Sequence, residues 1–261
     1  MNANPYVGVT GSVTNEEAGG ICREFAEAGY NMNSSHVPML GFLVSYKTLN
    51  GQATQNRRYP SVKILPELLS KIAGRALNIV HYNSREKDLV EQVSHLFNGV
   101  YPHLCRAIQL NIVWPDINQI KKVKDRFPGM QIVFQASHSA MAGKTPADIA
   151  RGIKGYGDSL SYVLIDPSGG RGLEFDLDAS VNLYFELREQ CPDLTIGFAG
   201  GVNEGNVLER LKEIVSKTST EGFCIDAEGG LRDKITDAYG DDLLNIQKVR
   251  GYLQASSGVL K

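Results

Sequence analysis

Apolar and polar positions follow two different periods along this chain. Short runs rich in β-branched and aromatic residues predict eight strands, at 6–10, 40–46, 77–82, 107–113, 131–136, 162–166, 195–199 and 222–226. The segments between these runs carry apolar residues at helical spacing. The pattern therefore predicts that each strand is followed by a helix.

Several of the intervening segments begin with a helix start signal. Thr14 stands three residues before Glu17, the spacing of a capping box, and Thr145 is followed by Pro146 at the first helical position. Ser61, Ser84, Asn203 and Asp241 open similar stretches, and the last of these predicts a helix over residues 243–253.

The spacing of the strands indicates the fold. Strands recur every 24 to 37 residues, enough for a strand, a helix and two short loops. Eight such units in a chain of this length predict an α/β protein with one (β/α)8 barrel domain over residues 1–261. A doubly wound sheet is the alternative, but Gly8 and Gly11, in and directly after the first strand, lack the spacing of a dinucleotide-binding turn.

Composition narrows the partners that we expect. Lys and Arg number 27 against 29 Asp and Glu, a net charge of -2 that offers no general attraction for nucleic acid or an anionic membrane. No apolar run has the roughly 18 residues of a membrane-spanning helix. The first residues do not resemble a signal peptide, so a cytoplasmic location is expected.

Cysteine and histidine spacing gives no sign of a metal or cofactor. The four cysteines are scattered without a CxxC pair, and no HxH or HExxH spacing occurs. We expect reduced cysteines, no bound metal and no cofactor.

In a barrel, the active site is built from the carboxyl ends of the strands and the loops that follow them. The polar residues at those places are Thr10, Lys47, Arg58, His81, Asn111, His138, Asp166 and Asp226. The irregular stretch 47–59, which contains Arg58, is expected on the same face.

Glycine pairs follow the last two strands. Gly200–Gly201 and Gly229–Gly230 allow close backbone approach, so their main-chain N–H groups are suited to a phosphate, which barrels commonly bind after strands seven and eight. The alternative is that these glycines only make tight turns. We expect a small phosphorylated metabolite as the ligand.

The last units resemble a known family. Asp166, GGRGLEFD at 169–176, AGGVN at 199–203 and Asn206-Val207 are similar to the final strands of phosphoribosylanthranilate isomerases, a tryptophan-biosynthesis family with the motifs GGTGxxFD and AGGLxxxNV. Weaker similarities are Arg58-Tyr59, IQL at 108–110 and DAEGGL at 226–231.

The resemblance implies an Amadori-type isomerisation with an acid and a base. It makes Asp166 the general acid, and the alternative is a strand-end carboxylate that caps its own turn. The family's base is a cysteine at the end of strand one, where this chain has Thr10, whose hydroxyl is a poor base. His81 and His138 have pKa values suited to a base and are the other candidates.

The remaining polar candidates are expected to bind the substrate. Arg58 and Arg171 are placed to grip an anionic group, Arg171 standing where the family has the threonine of GGTG, and Asn111 replaces a family histidine. Lys47 is suited to a carboxylate or, if desolvated, to a Schiff base.

Three functions stay open at this point. The first is an isomerase of a phosphorylated sugar that uses Asp166. The second is an aldolase or epimerase that uses Lys47 or a histidine with the same phosphate site. The third is a non-catalytic barrel that binds phosphate ligands and has lost its base. The sequence leaves the oligomeric state undetermined.

Overall fold

A closed barrel of eight parallel strands forms the centre of the molecule. The computed structural model describes residues 3–168 and 176–260. The strands pair in chain order, and β1 pairs with β8 to close the ring. Their bounds are β1 Tyr6–Thr10, β2 Val37–Ser45, β3 Leu77–Asn83, β4 Ala107–Leu110, β5 Gln131–Ser137, β6 Tyr162–Asp166, β7 Thr195–Ala199 and β8 Cys224–Ala227. The predicted α/β barrel is confirmed.

Helices follow the strands and cover the barrel. Those of the described residues are α1 Asn15–Glu27, α2 Tyr46–Leu49, α3 Leu65–Ile72, α4 Leu89–Phe97, α5 Ile117–Arg126, α6 His138–Met141, α7 Pro146–Lys154, α8 Leu177–Gln190, α9 Val207–Thr218 and α10 Ile246–Ser257. Two predicted caps are confirmed. The hydroxyl of Thr14 accepts a hydrogen bond from the Glu17 N–H, and Thr145 forms a capping box with Asp148.

Two apolar clusters hold these layers together. Tyr6, Met39, Ile79 and Val133 lie in the cluster within the barrel. A larger cluster joins the outward-facing strand residues to the helices, as Phe198 and Leu211 illustrate. Because parallel strands alternate their side chains between these two environments, inward positions near the carboxyl ends remain available for polar groups.

Three of the predicted helix starts are wrong. Asn203 does not begin a helix, since α9 begins at Val207 after Asn206. Ser84 does not begin a helix, since α4 begins at Leu89 after Asp88, which adopts a left-handed conformation with φ of 61°. The helix predicted over 243–253 begins later, at Ile246.

A short antiparallel hairpin takes the place of the start of that last helix. Its strands are β9 Arg232–Lys234 and β10 Asp242–Leu244. The hairpin follows β8 on the face where the active site is expected.

None of the helices in the described ranges is long and apolar enough to cross a bilayer.

Candidate functional site

A polar cavity of about 210 Å³ opens at the carboxyl end of the barrel. Its polar walls come from inward-facing strand residues and from the loops that follow, namely Tyr59, His81, Asn83, Gln109, Asn111, Gln135, Ser137, Asp166, Ser168, Asp226, Glu228 and Tyr239. No lysine or arginine of the described residues lines it. The cavity therefore presents amides, hydroxyls and three carboxyl groups to a ligand.

Asp166 ends β6 with its carboxyl group in this cavity. It accepts a hydrogen bond from Gln135 Nε2 at 2.6 Å, and its other oxygen accepts from the Ser168 N–H at 3.1 Å and the Ser168 hydroxyl at 3.0 Å. Hydrogen bonds donated to a carboxyl oxygen favour the ionised form. Asp166 is thus held in place as an acceptor by two neighbouring side chains.

Asp226 is the second carboxyl group inside the barrel. The Thr10 hydroxyl lies 3.1 and 3.2 Å from its two oxygens, and Thr10 itself is completely buried. Burial raises the pKa of Asp226 well above its usual value, and the charges of Glu228 and Asp166 raise it further. Asp226 is therefore stabilised in its protonated form.

His81 and Gln109 come from neighbouring strands and face the same cavity. The His81 Nε2 and the Gln109 Oε1 are buried and make no hydrogen bond within the described part of the chain. Burial lowers the pKa of His81 to about 3, so its imidazole is neutral and only weakly basic. From the sequence we expect His81 to have a pKa suited to a base, and the buried side chain does not have one.

Glycine at position 41 lets Thr10 and His81 approach each other. A Cβ atom there would lie 2.3 Å from the Thr10 Oγ1 and 2.7 Å from the His81 Nε2. Any side chain at Gly41 would displace both groups, which explains a glycine in the middle of a buried strand.

Arg58 lies behind the cavity wall instead of in it. Its guanidinium donates to Asp242 and to Glu228, each at 2.6 Å, and only 4% of the residue is exposed. Arg232 donates to the same Asp242 carboxylate. Burial alone would lower the pKa of Arg58, but the two carboxylates raise it, so it remains a cation.

The predicted phosphate turns lie together at the cavity. Gly200 and Gly201 have φ of 105° and 64°, and both line it with Gly229 and Gly230. A Cβ on Gly230 would lie 2.1 Å from the Val202 carbonyl oxygen, so close packing of the two turns also requires glycine.

The structure therefore brings some predicted site residues together and separates others. Asp166, His81, Asn111 and the four glycines line one cavity. Lys47 lines a neighbouring cleft with Tyr46 and Arg85, and His138 is exposed at the start of α6. Arg171 and the segment 169–175 lie outside the described residues.

Sequence reasoning missed several polar residues within the strands. Gln109 and Gln135 face the cavity, and the signal was available because each is an amide at an inward position of an otherwise apolar strand. Ser168, Glu228 and Tyr239 were also missed, and they belong to loops whose placement depends on distant contacts.

Metal binding has no structural support in the described ranges, where no three histidine, cysteine, aspartate or glutamate side chains are grouped to hold an ion.

Comparison with known proteins shows the fold. No protein-family model matches this sequence, and no curated protein matches it either. Among solved structures, phosphoribosylanthranilate isomerase from Pyrococcus furiosus has a TM-score of 0.58 at 15% identity, with 98% of this chain and 100% of that chain covered. The enzyme from Thermococcus kodakaraensis has a TM-score of 0.58 at 15% identity, with coverages of 97% and 98%.

Larger proteins contain a similar barrel. A rubisco-like protein from Burkholderia fungorum has a TM-score of 0.57 at 12% identity, and the match covers 88% of this chain but 56% of that one. The chain thus has a barrel fold like that of phosphoribosylanthranilate isomerases. Because barrels support many reactions, this likeness does not assign the activity.

Proposed function

We propose that this protein is an acid–base isomerase that converts a small phosphorylated aldose derivative into the corresponding ketose form. The observation that carries the proposal is the position of Asp166, which ends β6 in the polar cavity and is oriented by Gln135 and Ser168. The sequence resemblance of the β6 and β7 units to phosphoribosylanthranilate isomerases points to the same reaction class.

Isomerisation of this kind moves a proton between neighbouring carbon atoms. It needs a group within hydrogen-bond reach of the reacting carbons, in a site where water competes poorly. Asp166 is 3% exposed and has one face on the cavity. It is the group that we assign to proton exchange with the substrate.

The rest of the cavity matches the other parts of such a substrate. Amide groups of Asn83, Gln109, Asn111 and Gln135 are suited to sugar hydroxyls, since each amide both donates and accepts. The glycine turns at 200–201 and 229–230 offer main-chain N–H groups to a phosphate. Arg171, in the segment that the structure does not describe, is the expected cationic contact.

Lys47 gives little support to a Schiff-base aldolase. It is exposed and lines a different cleft from Asp166. A desolvated lysine beside the reacting carbon is what that chemistry requires.

A binding protein is the second candidate. The observation that favours it is Thr10, which takes the place of the family's cysteine and is buried against Asp226. A site without a base would still bind a phosphorylated sugar.

Turnover of phosphoribosylanthranilate, generated in situ and followed by loss of its fluorescence, tests the proposal. We expect the wild-type protein to turn over this substrate and Asp166→Asn to lose about 10²–10⁴-fold in rate. Asp125→Asn, an exposed aspartate on α5, is the matched control and should retain full activity. Thermal stabilisation by the substrate without turnover would instead establish the binding protein.

A further inference from the structure

We propose that Asp226 is a second catalytic residue, the acid that donates a proton to the substrate while the Asp166 carboxylate accepts one. This inference rests on the proposed isomerase function. It assigns the partner group that is missing when Thr10 replaces the cysteine of the similar family, and it reverses the acid role that the resemblance implies for Asp166.

Asp166 and Asp226 flank Ala199, a small residue at the end of the strand between them. In the strand register Asp226 pairs with Ala199, and the pairing of Ile165 with Phe198 brings Asp166 level with Ala199 on the other side. Backbones two strands apart are separated by about 10 Å. Since Asp166, Ala199 and Asp226 all line the cavity, the two carboxyl groups face the same space, where a ligand is able to contact both.

The two groups differ in the hydrogen bonds that hold them. Asp166 accepts from three donor hydrogens of Gln135 and Ser168, which suits a carboxylate. Asp226 accepts from the Thr10 hydroxyl and the Ala227 N–H, which lower its pKa by less than burial raises it, and the Thr10 oxygen is also able to accept from a protonated carboxyl group. Thr10 is therefore suited to position a carboxylic acid.

The acidic groups around Asp226 also raise its pKa. Glu228 and Asp166 are acidic neighbours, and the phenols of Tyr6 and Tyr252 and the thiol of Cys224 are the other titratable groups that interact with it. None of these supplies a positive charge. The Arg58 guanidinium is directed at Glu228 and Asp242.

Nearby carboxyl groups that differ in protonation are the usual basis of acid–base division of labour. Both groups are buried, and the pKa of Asp226 is raised by burial and by the charges of Glu228 and Asp166. Asp226 thus enters the reaction as an acid near neutral pH and Asp166 enters as a base.

The resulting reaction is balanced without an external reagent. The substrate is an aldose phosphate that carries an amine nitrogen on C1, as phosphoribosylanthranilate does. Asp226 gives its proton to the ring oxygen as the C1–O bond breaks, and the lone pair of that nitrogen forms a C=N bond. Asp166 takes the proton from C2, the C–H electron pair forms C1=C2, and the C=N π pair returns to nitrogen. The enol O–H proton then returns to Asp226, and Asp166 delivers its proton to C1.

Infrared spectroscopy tests the protonation of Asp226 without relying on turnover. In protein with carbon-13-labelled aspartate carboxyls near neutral pH, we expect an isotope-shifted C=O band of a protonated carboxylic acid. The band should persist in Asp166→Asn, Asp125→Asn and Glu228→Gln and disappear in Asp226→Asn. Absence of the band from the wild type, or its persistence in Asp226→Asn, overturns the assignment.

Kinetics then tests the donor role. Asp226→Asn and Asp166→Asn should each lose about 10²–10⁴-fold in turnover. Wild-type activity should fall as rising pH removes the Asp226 proton. Thr10→Val should retain more activity than Asp226→Asn and should move this alkaline limb of the profile, because Thr10 positions Asp226 and does not exchange protons with the substrate.

The kinetic outcomes separate the two proposals. Turnover that depends on Asp166 and survives in Asp226→Asn refutes the role of Asp226 and leaves the isomerase function intact. A wild type that does not turn over phosphoribosylanthranilate refutes both.

Discussion

At the scale of single residues, Asp226 couples the stability of the barrel to pH. Its folded pKa is raised by burial above that of an unfolded aspartate, near 3.9. Between these two pKa values the folded chain keeps a proton that the unfolded chain releases. The free energy of unfolding contributed by this group therefore falls as pH rises, by up to about 1.4 kcal/mol per pH unit.

Asp226→Asn should remove this dependence. Asparagine has nearly the shape of a protonated aspartate and retains an oxygen for the Thr10 hydroxyl. Below about pH 4 both forms of the wild-type chain are protonated, so the variant should match it in stability. At neutral pH the variant should be the more stable, as measured by urea unfolding over a pH series. Parallel profiles for the two proteins would contradict this prediction, and Asp125→Asn should give the parallel profile as a control.

At the scale of elements, two segments distant in sequence close one side of the cavity. The loop after β2 carries Arg58 and Tyr59, and the hairpin after β8 carries Tyr239 and Asp242. The Arg58 guanidinium lies 4.8 Å from the centre of the Tyr239 ring, and the Arg57 N–H donates to the Gly240 carbonyl at 2.8 Å. Both tyrosines line the cavity, so the ion pairs also set its shape.

Adjacent arginines in this loop allow a matched test. The Arg58 side chain is 5% exposed and that of Arg57 is 56% exposed. Arg58→Met leaves the buried Asp242 and Glu228 carboxylates with fewer partners and should destabilise the fold by about 3–5 kcal/mol. Arg57→Met should change stability little, since water and salt screen its ion pair with Asp241. Equal losses in urea unfolding would show that the buried ion pairs contribute no more than the exposed one.

At the scale of the whole molecule, stability comes from apolar layers inside and outside the barrel. The inner cluster includes Ile79, which is fully buried, together with Met39 and Val133. These residues fill the barrel below the polar cavity. The barrel is thus a packed core at one end and a polar cavity at the other.

Substitution of one buried and one exposed isoleucine tests how much the inner apolar cluster stabilises the fold. Ile79→Ala leaves a space that neighbouring strands cannot fill and should cost about 2–5 kcal/mol. Ile235, which is 48% exposed after β9, is the control, and Ile235→Ala should have a small effect. Thermal or urea unfolding measures both. A small loss for Ile79→Ala would mean that the inner layer repacks around the gap.

Local signals were sufficient for most of the elements. The bounds predicted for 6–10, 162–166 and 195–199 are those of β1, β6 and β7, because each is a short apolar run between polar turns. The last helix shows the limit of this reasoning. Leu243 fits a helical pattern, but Asp242 pairs with Arg58 and Arg232, and that attraction favours a hairpin. Arg58 is far from residue 243 in the sequence, so a local pattern around residue 243 does not reveal this attraction.

The sequence by itself determined the barrel, the face that carries the site, and the cluster of Asp166 with the glycine turns, since strand period and strand-end position are local properties of the chain. Only the tertiary structure decided which groups meet. It buried Thr10 against Asp226, directed Arg58 to Glu228, and placed Lys47 in another cleft. The pKa of His81 depends on burial, and that of Asp226 depends on burial and on the charges of Glu228 and Asp166, which come together only when the barrel is closed.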